Sequence, residues 1–127
     1  MARGAGGSPE VDVLVVGGGP VGLAAAVEAR LAGLSAVVVE PRRGPVDKAC
    51  GEGLMPGAVA ALARLGVDPA GHPIAGIAYR DGRRAVEHRF RGPAGRGVRR
   101  TVLHAALAQR AAALGVPVLP GRVTQLE

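Results

Sequence analysis

Aromatic residues are nearly missing from this sequence: there is no Trp, one Tyr and one Phe among 127 residues. That scarcity argues against a surface that grips single-stranded nucleic acid by stacking bases on rings. Cysteine is reduced to Cys50, which excludes an intramolecular disulfide framework and a Cys-rich zinc site. The three histidines, His72, His88 and His104, show no ligand spacing with one another or with Cys50, so no metal site is expected. Long apolar runs are lacking too. The longest uncharged stretch, Val13 to Val27, has 15 residues and is interrupted by Gly17-Gly18-Gly19-Pro20. A transmembrane helix needs roughly 20 apolar residues, so neither a membrane span nor a secretory leader is expected, and the chain reads as cytoplasmic.

What is present is 48% apolar and 20% charged, the composition of one globular α/β-sized domain rather than of a disordered chain. The formal charge is +6, and lysine is represented by Lys48 alone, the other cations all being Arg. The excess is local: Arg80 to Arg100 holds eight Arg against Asp81 and Glu87. Two readings compete, a solvated loop and hairpin face or a polyanion site. The first is preferred, and no nucleic acid is expected as a partner.

The first ten residues are small, polar and Gly-rich and read as a disordered tail. Val11 to Val16 is a β-branched run of strand length. A Gly-rich loop follows, Pro20 suits a first helical turn, and Val21 to Leu31 is an Ala-rich helix with Gly33 placed to cap it. Ala36 to Glu40 is a second strand, completing a βαβ unit with parallel strands. Pro41 to Gly53 reads as a connector, followed by a short helix with Val59, Leu62, Ala63 and Leu65 on one face. Ile74–Tyr79 and Ala85–Phe90 flank Asp81-Gly82 as a hairpin, and Gly92 to Gly97 reads as a loop. Arg100 to Leu114 is a helix ended by Gly115, Val116 to Leu119 a third parallel strand, and Val123 to Leu126 the start of another. The expected fold class is an incomplete Rossmann-like α/β fold with a small β-hairpin insertion, built as one domain over residues 11–127.

The chemistry-bearing motif is Gly17-x-Gly19-x-x-Gly22, which leaves a strand and opens a helix, with Glu40 at the end of the next strand. Gly17 permits the sharp turn. Gly19 lets a pyrophosphate approach the backbone and the positive helix end, and Gly22 allows close packing of helix on strand. Glu40 can accept hydrogen bonds from the two ribose hydroxyls of an adenosine, and its charge disfavours a 2′-phosphate. Arg42 and Arg43 pull the other way. This unit alone does not separate NAD from FAD.

Three motifs in order extend the argument: the βαβ unit, then Lys48-Ala49-Cys50-Gly51-Glu52-Gly53-Leu54, then Arg100-x-x-Leu103-x-x-x-Leu107. Together they resemble the N-terminal part of FAD-dependent oxidoreductases, in the superfamily of para-hydroxybenzoate-hydroxylase-like monooxygenases and geranylgeranyl reductases. Cys50 to Leu54 leans toward the reductase branch. The resemblance implies FAD, with Gly17, Gly19 and Gly22 at the pyrophosphate and Glu40 at the ribose. It implies Cys50, Gly51 and Gly53 along the ribityl chain and flavin ring, Arg100 near the phosphate and ribityl region, and the backbone of Val123 by the adenine. Pro20 and Arg42, which adjoin these positions, complete the cofactor-binding set. A small apolar or aromatic substrate and NAD(P)H or another external electron donor are the implied partners. No base is placed by sequence to activate Cys50, so a small residue packed near the ring is its better reading, and Glu52 as a proton donor is the remoter one.

Departures are also legible. Ala49 stands where many such reductases have Pro. Members of the superfamily are much longer and use later segments for a Gly-Asp motif and most of the substrate pocket, so a portion of a flavoenzyme is the expectation. A non-catalytic dinucleotide-binding module and an Arg-rich polyanion binder are the alternatives.

Overall fold

The computed structural model describes residues 10–48, 50 and 52–126. The tail expected at residues 1–10 falls, apart from Glu10, outside the described residues, as do Ala49 and Gly51. The elements run β1 (Val13–Val16), α1 (Pro20–Leu31), β2 (Ala36–Glu40), β3 (Gly53–Leu54), α2 (Pro56–Arg64) and β4 (His72–Ile74). They continue with β5 (Gly76–Asp81), β6 (Arg84–Arg89), β7 (Gly95–Gly97), α3 (Arg100–Ala113) and β8 (Val118–Pro120).

The α/β expectation holds, in a parallel sheet of order β1-β2-β8 beside a separate β5–β6 hairpin. Val13 to Val16 pair in register with Ala36 to Val39, and Val38 to Glu40 with Val118 to Pro120. The first strand begins later than Val11, because Asp12 leaves the ladder to bond Ser35: the Ser35 N–H and hydroxyl both donate to its carboxylate at 2.7 Å. Helices α1 and α3 pack side by side on one face of the sheet. There Leu23, Val27, Val38, Leu107 and Ala111 form the buried centre, joined by Leu65 and Val67 from the end of α2. On the opposite face Leu14 and Val16 stay exposed.

The three helices among the described residues end alike. In α1 the Gly33 N–H donates to Arg30 and the Leu34 N–H to Ala29, the paired bonds of a Schellman motif. The same pair recurs after α2 and α3, with Val67 bonding Leu62 and Val116 bonding Ala111. That explains why the third parallel strand starts at Val118 instead of Val116: Val116 is spent on capping α3, and its side chain is buried in the core.

Three other expectations are corrected. The hairpin turn is one residue further on, because Asp81 pairs with Arg84 and leaves Gly82-Arg83 as the two-residue loop, with Gly82 at φ 40°. Ile74 belongs to β4, outside the hairpin, and β4 joins β3 and β7 in a small antiparallel sheet of order β3-β7-β4. That sheet takes Gly53 from the presumed connector and Gly95–Gly97 from the presumed loop. Glycine makes it possible, since a side chain at Gly95 would meet the Leu54 carbonyl oxygen at 2.5 Å. Finally, Val123 to Leu126 form no strand; after Gly121, whose N–H reaches the Glu40 carbonyl, the segment has no ladder partner among the described residues.

Candidate functional site

The carboxyl ends of β1 and β2 and the amino end of α1 converge, which is where ligands sit in open parallel sheets. Gly17 turns the chain out of β1 at φ 103°, a conformation that side chains rarely tolerate, and its N–H donates to Val39. Gly22 lies hard against that turn: a Cβ there would fall on the Gly17 carbonyl oxygen and within 3.1 Å of Val15. Gly19 differs. Its φ of −74° suits any residue, and an added Cβ would meet nothing within 4 Å. No protein contact demands glycine there, so the open space beside its backbone remains for a ligand to use.

Pro20 opens α1 as its first residue, Gly19 caps it without a side chain, and the first turn carries no acid. The first helical bond runs from Leu23 to Gly19, which leaves the N–H groups of Val21 and Gly22 without acceptors among the described residues. Unpaired N–H groups and the positive end of the helix dipole together favour an anion.

Glu40 ends β2 as a buried carboxylate, 5% exposed. Its Oε2 accepts the Gly18 N–H at 2.7 Å, and its Oε1 accepts from the Arg42 backbone at 3.0 Å and from Arg42 Nε at 2.8 Å. The hydrogen bond from the Arg42 side chain is the main reason its pKa is held down to about 2, against the opposing effect of burial. Arg42 thus covers the acceptor face of the expected ribose ligand, with 56% of its own side chain exposed. A cavity of about 210 Å³ lies beside this pair, lined by Gly18, Leu23, Glu40, Arg42, His104 and Val118 among others.

The second and third motifs also meet. Glu52, at φ 55°, accepts the Arg100 N–H at 3.2 Å on its Oε1, and its carbonyl accepts the Val98 N–H at 2.7 Å. It therefore serves as an end cap for α3. Cys50 is exposed and its sulfur accepts the Glu52 N–H at 3.4 Å. Gly53 sits in β3 opposite Gly97, while Arg100 Nε is buried without a partner among the described residues. Gly51 lies outside the described residues, and Val123 is half-buried in the segment after β8.

Sequence reasoning missed His104. It is 7% exposed, and its Nε2 lies 2.7 Å from the Gly18 carbonyl oxygen. The signal was present: a histidine interrupts the Leu103, Leu107, Ala111 stripe one turn after Arg100, a buried position for a polar ring. Among the described residues no group of three His, Cys, Asp or Glu could hold a metal ion, and no helix is long and apolar enough to cross a membrane.

The residues fit a dinucleotide. The backbone beside Gly19 is open, no side chain caps the start of α1, and a carboxylate stands at the end of β2. Comparisons with known proteins agree. Over 56 residues, 44% of this chain, the sequence is 59% identical to a menaquinone reductase of Mycolicibacterium smegmatis, of which that stretch is 14%. A geranylgeranyl bacteriochlorophyll reductase-like structure from Thermoplasma acidophilum superposes at TM-score 0.73 and 30% identity, over 85% of this chain and 29% of that one. A flavin-dependent brominase shares the fold at TM-score 0.79 and 24% identity, over 92% of this chain and 31% of its own. The chain therefore spans less than a third of the length of each of these relatives. The family model of the FAD binding domain matches residues 10–125, nearly the whole sequence, and the chain belongs to that family.

Proposed function

We propose that residues 11–127 form the FAD-binding domain of a flavin-dependent oxidoreductase that reduces an apolar substrate of quinone or isoprenoid type. The observation that carries the cofactor assignment is the Gly17–Gly22 turn, with open backbone at Gly19 and a buried Glu40 beside it. The substrate class rests on the 59% identical stretch of a menaquinone reductase, supported by the geranylgeranyl reductase-like structure. A p-nitrophenol 4-monooxygenase from Pseudomonas putida shares the fold at 26% identity, which makes hydroxylation the alternative reaction.

Bound FAD supplies the redox centre, drawing electrons from NAD(P)H or another external donor. The chain's own residues bind and orient. Gly17, Gly19, Gly22 and the start of α1 behind Pro20 hold the pyrophosphate, and Glu40 takes the adenosine ribose. To do so Glu40 exchanges its Arg42 side-chain bonds for ribose hydroxyls, an affordable exchange because the freed guanidinium is already half in water. Arg42 remains beside the adenosine, with the Val123 backbone near the adenine. Cys50, Gly51, Gly53 and Arg100 line the ribityl and flavin side. Among the described residues the Cys50 sulfur bonds the Glu52 N–H and no side-chain base, and its role here is to pack against the cofactor.

Glu40→Ala tests the assignment. Titrated by flavin fluorescence, the variant loses on the order of 2–4 kcal/mol of FAD affinity, the worth of two hydrogen bonds to a charged acceptor. FMN, which lacks the adenosine, is bound as before. Equal weakening of the two flavins would remove Glu40 from the site.

A further inference from the structure

The middle residue of the glycine loop is held from both sides. Gly18 donates its N–H to Glu40 at 2.7 Å, and its carbonyl meets His104 Nε2 at 2.7 Å across 86 positions of sequence. A carbonyl oxygen only accepts, so Nε2 is the donor in this bond. The other ring nitrogen, Nδ1, is buried without a partner among the described residues. Burying a polar ring with one nitrogen unsatisfied is costly, and the neighbouring positions of the stripe are Leu103, Leu107 and Ala111. The bond to Gly18 is what the imidazole gains there.

The consequence lies in the next peptide group. The Gly18 carbonyl and the Gly19 N–H belong to one trans peptide unit and point in opposite directions. Fixing the carbonyl toward α3 fixes the Gly19 N–H away from it. That N–H has no acceptor among the described residues, and the space beside Gly19 is open. We infer that His104 is a positioning residue for phosphate: by anchoring the Gly18 carbonyl it presents the Gly19 N–H to a pyrophosphate. The inference rests on the FAD reading of the loop.

The test uses the whole chain with ADP, which carries the pyrophosphate and adenosine, and with adenosine, which carries no phosphate. In His104→Leu, ADP and FAD bind about tenfold more weakly, the scale of one hydrogen bond to a charged group, while adenosine binds as in the parent. His104→Gln, whose amide nitrogen can occupy the Nε2 position, recovers most of that loss. A measurement on the unmodified chain is independent of how the variants fold: with 15N-labelled glycine, the Gly19 amide resonance moves on addition of ADP and stays in place with adenosine. Equal weakening of ADP and adenosine, an unchanged ADP affinity in a folded Leu variant, or a Gly19 amide that ADP leaves unmoved would each overturn the role of His104. A parent chain that binds neither FAD nor ADP would instead overturn the FAD reading, and the inference with it.

Discussion

Replacing Glu40 with Gln keeps the volume of the side chain and an acceptor for the Gly18 N–H but removes the charge that Arg42 answers. In the folded chain the Glu40 pKa lies at about 2 against an ordinary 4.5, chiefly because Arg42 donates to it. At about 1.4 kcal/mol for each tenfold change in proton affinity, that depression is worth at most about 3–4 kcal/mol. Water around the half-exposed guanidinium screens the pair and lowers the expected figure to about 1–2 kcal/mol. The sign follows from the direction. A depressed carboxylate contributes in full above pH 4.5 and loses its contribution as pH falls toward about 2. Denaturant unfolding of parent and Glu40→Gln should therefore differ by about 1–2 kcal/mol at pH 7, and the difference should close between pH 4.5 and 2. Asp12 is also held below its usual range, by its Ser35 hydrogen bonds, but it is common to both chains and cancels. A difference that stays constant with pH, or widens in acid, would refute the linkage.

The second and third glycines of the motif should separate fold from binding. Gly22→Ala drives a methyl into the Gly17 carbonyl and should destabilise by about 1–3 kcal/mol or prevent folding, whereas Gly19→Ala meets no protein atom and should cost under about 1 kcal/mol while FAD affinity falls about tenfold or more. Calorimetry and flavin titration on both variants check this, and the opposite ranking would undo the assignment of Gly19 to the ligand. Leu107→Ala, at a side chain 1% exposed between α1 and α3, should lose about 2–5 kcal/mol in chemical unfolding. Arg110→Met removes the bond from Arg110 Nε to the Leu65 carbonyl at 2.7 Å and should cost about 1 kcal/mol, read as a shift in unfolding midpoint without a change in slope.

Local signals carried most of the main sheet. The β-branched runs, the Ala-rich helix and the Leu-Gly-Val endings at Leu65–Val67 and Leu114–Val116 are each decided by neighbours in sequence, so they could be read directly. The β3-β7-β4 sheet could not. Its strands are two or three residues long, too short for a period, and they exist because Gly95 and Gly97 let backbones approach from distant parts of the chain. The hairpin illustrates the same limit on a smaller scale. Asp81-Gly82 revealed that a hairpin is present, but its register is set by the cross-strand pairs, which place Tyr79 opposite Val86 and move the loop by one residue.

The arginine excess shows why charge counts mislead at this level. Arg30 Nε donates to the Leu114 carbonyl at 3.0 Å and Arg110 Nε to that of Leu65, each at the end of a helix other than its own. Arg96 bridges Asp68 and the Pro69 carbonyl, tying β7 to the segment after α2. A cation at a helix C-terminus satisfies orphan carbonyls and complements the dipole, so these side chains act as tethers between elements. The site follows the same rule. Glu40 was legible because it stands at a fixed distance along one βαβ unit, the spacing that a dinucleotide imposes. His104 reaches the same loop from a helix 86 positions away, and no spacing rule connects them. Only the packing of α3 beside α1 brings the imidazole to the Gly18 carbonyl, so the part of the site that fixes peptide orientation emerges only in three dimensions.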